Sequence, residues 1–225
     1  MRIDILTALP DLFKGPLHES ILGRAQQKEL VHLHIHNIRD YSTHNQKSID
    51  DYAYGGGAGM VMTCQPIADA IEHLQAERDY DEIIYLTPEG ELLQQTISNG
   101  LSTCQNLLFL CGHYKGVDQR IRDEYVTREI SIGDYVLTGG ELAAMVVVDS
   151  IIRLIPGVLN DESSALTDSF QDGLLAPPVY TRPADFKGLK VPEVLLSGNP
   201  QKIEQWRHEK SLERTQERRP DLLSD

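Results

Sequence analysis

The stretch SIGDYVLTGGEL, residues 131–142, has the composition of a ligand-binding loop. A Gly133-Asp134 turn is followed by the apolar residues 135–137 and then by Thr138-Gly139-Gly140. The stretch lacks the Lys-Ser or Lys-Thr pair of a phosphate loop and the GxGxxG spacing of a dinucleotide site. An apolar segment, ELAAMVVVDSIIRLIP, begins immediately afterwards at Glu141. The stretch therefore predicts a ligand loop that leads into a buried helix and differs from the common phosphate-binding templates.

Strands and helices alternate around this loop. The hydrophobic patterns predict helices over residues 21–30, 91–104 and 141–155, and strands over residues 2–9, 31–38, 81–88, 106–112 and 125–130. Mostly apolar strands that alternate with helices are typical of an α/β fold with a parallel sheet covered on both faces. We therefore expect the α/β class for this part of the chain.

Three loops follow the ends of predicted strands, at residues 86–90, 111–116 and 131–140. Ligands of open parallel sheets bind in the crevice beyond the carboxyl ends of the strands. If the three strands are neighbours, these loops converge on one place. The sequence thus indicates a single binding site at this edge of the sheet.

The composition changes after Gly157. Residues 158–172 are polar, rich in Ser and Asp and weakly periodic, which is typical of a linker. The following PPVYTRP segment is rigid and extended, and an amphipathic helix is predicted around Trp206. We expect an α/β domain over residues 1–157, a linker over residues 158–172 and a small helical domain over residues 173–225.

Composition limits the class of protein. Of the 225 residues, 40% are hydrophobic, enough for a folded core, yet no apolar run reaches the ~18–20 residues that span a bilayer. The first residues lack the apolar segment and cleavage site of a signal peptide. Three scattered cysteines, Cys64, Cys104 and Cys111, are typical of reduced thiols. These features predict a soluble protein of the cytoplasm that has no membrane partner.

The net charge of −13 argues against a generic nucleic-acid coat protein, but it is compatible with a local basic patch. The basic residues concentrate in the second half, where 13 of the 21 lie from Arg120 onward. Glu204, Glu209, Glu213 and Glu217 are interleaved with the basic residues of the last predicted helix. A solvated helix with ion pairs is therefore the alternative to an RNA-binding surface.

Two further motifs have alternative interpretations. His32, His34 and His36 share one face of a predicted strand, which would suit zinc, but a partly solvated strand face is favoured and no metal is predicted. The run YGGGAGM at residues 54–60 has too many glycines for a helix or strand. This run fits a surface loop and a functional lid equally well.

Two charged residues near the domain boundary also have structural and functional interpretations. Arg153 is predicted near the end of the helix over residues 141–155, where a guanidinium complements the helix dipole. It would serve equally as a fixed donor beside a ligand. Asp168 in TDSF fits a helix cap as well as a reactive carboxylate.

Six motifs occur in order along the chain: CGHYKGVDQR, SIGDYVLTGGELAAM, RLIPGVL, DSFQDGLL, PPVYTRP and SLERTQERRPDLL. Together they resemble the bacterial tRNA (guanine-37-N-1)-methyltransferases of the SPOUT superfamily, over essentially the whole chain. The resemblance implies a parallel sheet with a deep trefoil knot toward the C-terminal side of the α/β domain. It also implies S-adenosyl-L-methionine as cofactor, tRNA as substrate and a homodimer with shared active sites.

The same resemblance assigns site residues. It implies that Asp168 is the base that takes the proton from N-1 of the target guanine. It also implies that Arg153 donates a hydrogen bond to O-6 of that guanine. Apolar flanks and glycine backbone suit an adenosyl group, and no lysine is needed because the cofactor has no phosphate. The implied cofactor pocket is formed by Tyr85, Leu86, Thr87, Pro88, Gly112, Ile132, Gly133, Asp134, Tyr135, Val136, Leu137, Thr138, Gly139 and Gly140.

The family arrangement places basic residues along the anticodon stem of the tRNA. These are Arg182, Lys187, Lys190, Lys202, Arg207, Lys210, Arg214 and Arg218. The chain departs from the family pattern at His113, Lys115 and Ala176. Because residue 176 is an alanine, that position offers no catalytic acid. A SPOUT methyltransferase acting on another RNA and a tRNA- or cofactor-binding regulator without turnover are the alternative functions.

Overall fold

A computed structural model describes residues 1–160 and 167–223. The chain divides into two compact units, Met1–Asn160 and Asp161–Asp225. Part of the predicted linker, residues 161–166, lies outside the described residues.

The first unit is built around a main sheet of five parallel strands and also contains a separate sheet of two strands. Its strands are β1 (Arg2–Thr7), β2 (His32–Asn37), β3 (Asp50–Tyr52), β4 (Met60–Met62), β5 (Glu82–Leu92), β6 (Asn106–Cys111) and β7 (Arg128–Ser131). The main sheet has the order β2-β1-β6-β5-β7, and every neighbouring pair in it is parallel. The predicted α/β class with a parallel sheet is confirmed.

Helices cover both faces of this sheet. They are α1 (Ser20–Gln27), α2 (Cys64–Gln75), α3 (Gln95–Leu101), α4 (Gln119–Tyr125) and α5 (Glu141–Ile152), with short 3-10 helices at Pro10–Phe13, Pro16–His18 and Ile38–Tyr41. Buried residues of α1, α3 and α5 form one core cluster with Ile3, Ile5 and Phe109. Buried residues of α2 and α4 form a second cluster with Leu6 and Leu110. Because alternate side chains of one strand reach opposite faces, β1 and β6 contribute to both clusters.

Strand β5 is longer than predicted, and the prediction of a helix from residue 91 is wrong. Residues 86–90, predicted as a loop, lie inside β5, whose pairing with β7 shifts register between Leu86 and Glu91. Gly90 permits this shift, because a Cβ there would lie 2.5 Å from the carbonyl carbon of Glu129. Since Leu92 still pairs with β7, helix α3 begins only at Gln95.

The prediction of a strand over residues 125–130 is also wrong at its start. Helix α4 ends at Tyr125, and β7 begins at Arg128. The Asp118 side chain caps α4 by accepting a hydrogen bond from the backbone N–H of Arg120, at 2.9 Å. This capping interaction explains how so short and polar a segment becomes a helix.

The three histidines of β2 line a partly buried strand face. The adjacent strand β1 supplies a carboxylate, Asp4, whose Oδ1 is 2.6 Å from Nε2 of His36. Although burial alone would raise it, hydrogen bonds from His36, Arg2 and Tyr80 hold the pKa of Asp4 well below its usual range. Among the described residues, no group of three or more His, Cys, Asp or Glu side chains is arranged to hold a metal ion.

The glycine-rich run forms the turn of an antiparallel hairpin between β3 and β4. Gly55, Gly56, Gly57 and Gly59 all have positive φ, which few other residues tolerate. Strand β4 is hydrogen-bonded to the loop that follows β6, since Lys115 N–H donates to Met60 O at 3.0 Å. The run is therefore a hairpin turn, and Met60 is part of a strand rather than of the turn.

The second unit begins with turns and extended segments and ends in helices. Its elements are β8 (Asp185–Phe186), β9 (Leu189–Lys190), α6 (Glu193–Leu196), α7 (Pro200–Arg218) and a 3-10 helix at Pro220–Leu223. Asn199 caps α7 through its side chain, which accepts from Lys202 N–H at 3.2 Å. In the described ranges, no helix has both the length and the apolar character that crossing a bilayer requires.

Candidate active site

A cavity of about 350 Å³ lies where β5, β6 and β7 lead into their following segments. The strands are parallel, so these segments meet at one edge of the sheet, as the position of ligand sites in such folds predicts. The cavity is lined by Tyr85–Pro88 of β5, by Gly112 after β6, and by most of residues 132–140 after β7. Every residue of the predicted cofactor pocket lines it except Asp134, which is exposed.

Glycines allow two backbone segments to approach closely at the base of the cavity. Gly140 N–H donates to Gly112 O at 2.8 Å, and His113 forms a β-bridge with Gly139. A Cβ on Gly140 would lie 2.9 Å from the Cα of Cys111 and 3.0 Å from the backbone nitrogen of Gly112. These neighbours are backbone atoms, which cannot rotate away as a side chain does. The Gly139-Gly140 pair of the loop thus holds its backbone against the end of β6.

We expect Gly140→Ala to weaken ligand binding in this cavity by at least about tenfold, because the added methyl group must push two walls of the cavity apart. Gly100→Ala is the matched control, since a methyl group added to Gly100 in helix α3 would meet no neighbouring part of the protein within 4 Å. That control should be neutral or slightly stabilising. Calorimetric titration with the cofactor that the sequence resemblance implies compares the two variants, and equal affinities would contradict the role of the close approach.

The apolar residues 135–137 of the loop lie at the mouth of the cavity. Tyr135, Val136 and Leu137 are exposed in spite of their apolar character. The Tyr135 ring lies over Gly133, where a Cβ would be 2.4 Å from Cε1, and its hydroxyl donates to Ile132 O at 3.2 Å. Large apolar side chains exposed at the mouth of a cavity are suited to cover a partly apolar ligand.

Arg122 is one of the charged residues in the cavity wall, and no sequence motif marks it. Its guanidinium pairs with Glu129 at 2.7 Å and with Glu89 at 2.6 Å. The hydrogen bonds that the guanidinium donates to these two carboxylates raise the pKa of Arg122 above its usual value. The guanidinium also lies 5.4 Å from the centre of the Tyr85 ring. Burial raises the pKa of Tyr85, so its hydroxyl is neutral at physiological pH.

A buried carboxylate anchors the start of helix α5. Glu141 is almost fully buried, and Thr7 donates its hydroxyl hydrogen to Oε1 of Glu141 at 2.8 Å. The N-terminus of a helix carries positive partial charge, which favours an acidic residue in its first turn. Thr7 ends β1, so this hydrogen bond fixes the start of α5, directly after the loop 131–140, to strand β1 of the sheet.

Several further residues of the cavity wall are absent from the predicted cofactor pocket. Residues 113–117 belong to the loop that follows β6, and their position after a predicted strand could have been used to find them. Ile130 and Ser131 come just before residues 132–140 of the predicted pocket, and Ala143 comes three residues after them. The whole set is Glu89, His113, Tyr114, Lys115, Gly116, Val117, Arg122, Ile130, Ser131 and Ala143.

The two predicted catalytic residues lie in different units, and neither lines the cavity. Arg153 is the C-cap residue of α5, so the expectation that the helix continues to residue 155 is wrong. Its N–H still donates to Asp149 O at 3.3 Å, after which the chain turns through 3-10-type hydrogen bonds to Ile155.

Asp168 lies in a turn of the second unit, half-buried, and not at a helix N-terminus. It lines a cleft of about 690 Å³ together with Tyr180, Trp206 and Arg207. The rings of Tyr180 and Trp206 lie 6.3 Å apart across this cleft. The alternative interpretation of Asp168 as a helix cap is therefore wrong for the described residues.

The predicted RNA-binding residues fall into two groups. Arg182, Lys187 and Lys190 are exposed around the β8–β9 hairpin. In α7, Lys210 pairs with Glu213 at 2.5 Å, and Arg214 donates to Ala176 O at 3.5 Å. Lys202, Arg207 and Arg218 are exposed on the same helix. The ion-paired interpretation thus applies to Lys210, while three other cations of α7 face solvent.

Comparison with known proteins identifies the family. The family model described as tRNA (Guanine-1)-methyltransferase TrmD matches residues 1–225. Proteins named tRNA (guanine-N(1)-)-methyltransferase are 63% identical in Flavobacterium johnsoniae and 60% identical in Bacteroides thetaiotaomicron, over 225 residues and the full length of both chains. The protein of that name from Christiangramia forsetii is 62% identical, also over the full length of both chains. The chain belongs to the tRNA (guanine-1)-methyltransferase family.

Proposed function

We propose that this enzyme transfers a methyl group from S-adenosyl-L-methionine to N-1 of guanine 37 in tRNA, next to the anticodon. Its family membership and the names of its relatives support methylation of a tRNA guanine at N-1. The observation that carries the proposal is the cavity at the carboxyl edge of the sheet, lined by most of residues 132–140. Transcripts with and without guanine at position 37 test it, because only the former should accept a labelled methyl group.

The residues of the cavity fit the proposed cofactor. Backbone groups around Gly139 and Gly140 suit the edge of an adenine, and the exposed apolar residues at the mouth suit its flat faces. Arg122 is already paired with two carboxylates, and the lysine of the cavity wall, Lys115, is not part of a phosphate-loop motif. The sulfonium cofactor supplies an electrophilic methyl group when bound. The predicted residues 85–88, 112 and 132–140 would hold it, with Asp134 outside the cavity wall.

The protein's part in the reaction is to remove a proton and stabilise a charge. N-1 of guanine bears a proton, and its lone pair becomes available only as that proton leaves. We propose that the Asp168 carboxylate takes the proton, and that the Arg153 guanidinium stabilises the negative charge that moves to O-6. Asp168 lies in a cleft that is large enough to hold a guanine base, which supports this assignment.

We also propose the finer architecture that the family implies. This includes a trefoil knot in the α/β domain and a domain boundary at residue 157, followed by a linker to residue 172 and a helical domain to residue 225. The division into compact units after Asn160 supports the boundary within a few residues. The elements α6 and α7 support the helical character of the last domain. With a tRNA substrate and no membrane partner, the protein would act in the cytoplasm.

A homodimer with shared active sites would unite the proposed catalytic residues. Arg153 and the cavity belong to the first unit, while Asp168 belongs to the second. Leu142 and Val146, one turn apart on α5, remain 53% and 48% exposed although most of that helix is buried. Exposed apolar residues on a helix of a soluble protein favour a subunit interface.

We propose that the exposed cations of the second unit bind the phosphates of the anticodon stem. These are Arg182, Lys187, Lys190, Lys202, Arg207 and Arg218, with Lys210 and Arg214 already partly engaged. Because the net charge of the chain is −13, such contacts must act locally, within a screening distance of about 8 Å. Contacts to phosphates position an RNA without reading its sequence.

The Lys202→Gln/Arg218→Gln double variant should weaken tRNA binding about threefold to tenfold and reduce the slope of log K against log salt by about one to two. Lys14→Gln is the control, and its slope should not change because Lys14 is an exposed cation of the first unit, outside the predicted RNA-binding set. Filter binding at several salt concentrations measures both. Wild-type affinity and slope in the double variant would show that α7 is a solvated helix only.

A further inference from the structure

A buried hydroxyl group fixes the segment that follows Asp168 to the last helix. Thr215 is fully buried in α7, a helix whose other residues are mostly polar and exposed. Its hydroxyl accepts the N–H of Leu175 at 2.9 Å and donates to Ser211 O at 2.7 Å. Leu175 is half-buried, and a backbone N–H removed from water without a partner is costly, so this hydroxyl favours the observed position of Leu175.

The turn that carries Asp168 folds back onto this anchored residue. The Ser169 hydroxyl accepts the N–H of Ala176 at 2.9 Å, and Phe170 N–H donates to Leu174 O at 2.7 Å. Asp168 therefore lies one residue before a hydrogen bond to position 176, while position 175 is fixed to Thr215. Two hydroxyl groups in series connect the Asp168 turn to the rigid helix α7.

We infer that Thr215 and Ser169 are positioning residues that hold the Asp168 carboxylate in place for proton removal. The inference rests on the proposed function of Asp168 as the base. A reactive group has to be held within a fraction of an ångström, and polar segments such as residues 167–173 do not supply this from their own packing. The two hydrogen bonds supply it from the helix, and they act on the rate of the reaction rather than on tRNA contact.

The test compares Thr215→Val, which keeps the shape of the side chain, with Thr215→Ser, which keeps the hydroxyl. Thr215→Val should lower kcat about tenfold to hundredfold, since a shift of about 1 Å costs that much, while KM for tRNA changes less than about threefold. Thr215→Ser should retain kcat within about threefold. Rates are measured well below the melting temperature of each variant, so that a loss of stability alone leaves kcat unchanged.

Ser169→Ala removes the second hydrogen bond without altering the helix, and it should reproduce the loss in kcat. It also decides the matter if Thr215→Val fails to fold. Wild-type kcat in a folded Thr215→Val or, failing that, in Ser169→Ala would overturn the inference. An equal loss in Thr215→Val and Thr215→Ser would also overturn it, as would a loss confined to KM. Full activity of Asp168→Asn would instead refute the proposed base, which separates the two failures.

Discussion

Replacing Asp168 by asparagine will lower the rate of methyl transfer by about 10²- to 10⁴-fold, the usual contribution of a general base. Asparagine has nearly the same shape and keeps an oxygen acceptor, but its amide cannot take a proton from N-1 of guanine. The proposed cofactor cavity is lined by residues of the first unit and does not include Asp168. Affinity for S-adenosylmethionine should therefore stay nearly unchanged.

Single-turnover transfer of a labelled methyl group to a guanine-37 transcript measures the loss for Asp168→Asn. Asp172→Asn is the control, because Asp172 lines the same cleft and its acceptor to Leu174 N–H, at 3.1 Å, is kept by asparagine. This control should react at close to the wild-type rate. Undiminished transfer by Asp168→Asn would remove the carboxylate from the mechanism. Cofactor and tRNA binding without transfer by the wild-type protein would favour a regulator.

Much of the fold could be predicted because its signals are local. The apolar strands β1 and β6 and the apolar helix α5 are buried on the faces that their patterns indicate. The loop 131–140 could be located for the same reason, since Gly139 and Gly140 stand directly before a buried helix. Its place beside β5 and β6 follows from the general geometry of parallel sheets.

Features that depend on long-range pairing could not be predicted from local patterns. The polar sequence of residues 86–92 predicts a loop and the start of a helix, because it hides the pairing of Glu91 and Leu92 with β7. The contact of His36 with Asp4 joins two strands that are distant in sequence. The Arg122 pairs join α4 to β5 and β7, and only the folded sheet brings these elements together.

The cavity residues that are hardest to infer come from this same long-range class. Glu89 and Arg122 have no motif of their own: Glu89 lies within the register shift of β5, and Arg122 of α4 pairs with it. The knot that the family implies has no periodic signal, and general rules of chain connection disfavour it. Only the resemblance over the whole chain implies a knot; no local pattern of this sequence does.

The proposed catalytic residues divide between the two units, and this division makes a shared site testable. Arg153 ends α5 in the first unit, and Asp168 lies in a turn of the second. If each site takes Arg153 from one subunit and Asp168 from its partner, Arg153→Ala and Asp168→Asn chains damage different sites of a mixed dimer. One site then carries both substitutions, and the other carries neither.

Mixing equal amounts of the two inactive variants, after unfolding and refolding together, should restore about a quarter of the wild-type activity. Half of the randomly formed dimers are mixed, and each mixed dimer has one intact site of two. Each variant refolded alone is the control and should remain inactive. If both residues of a site came from one subunit, every site would carry one substitution and the mixture would stay inactive. A fully active monomer in analytical ultracentrifugation would likewise exclude the shared site, because a single chain would then contain all the groups that the reaction needs.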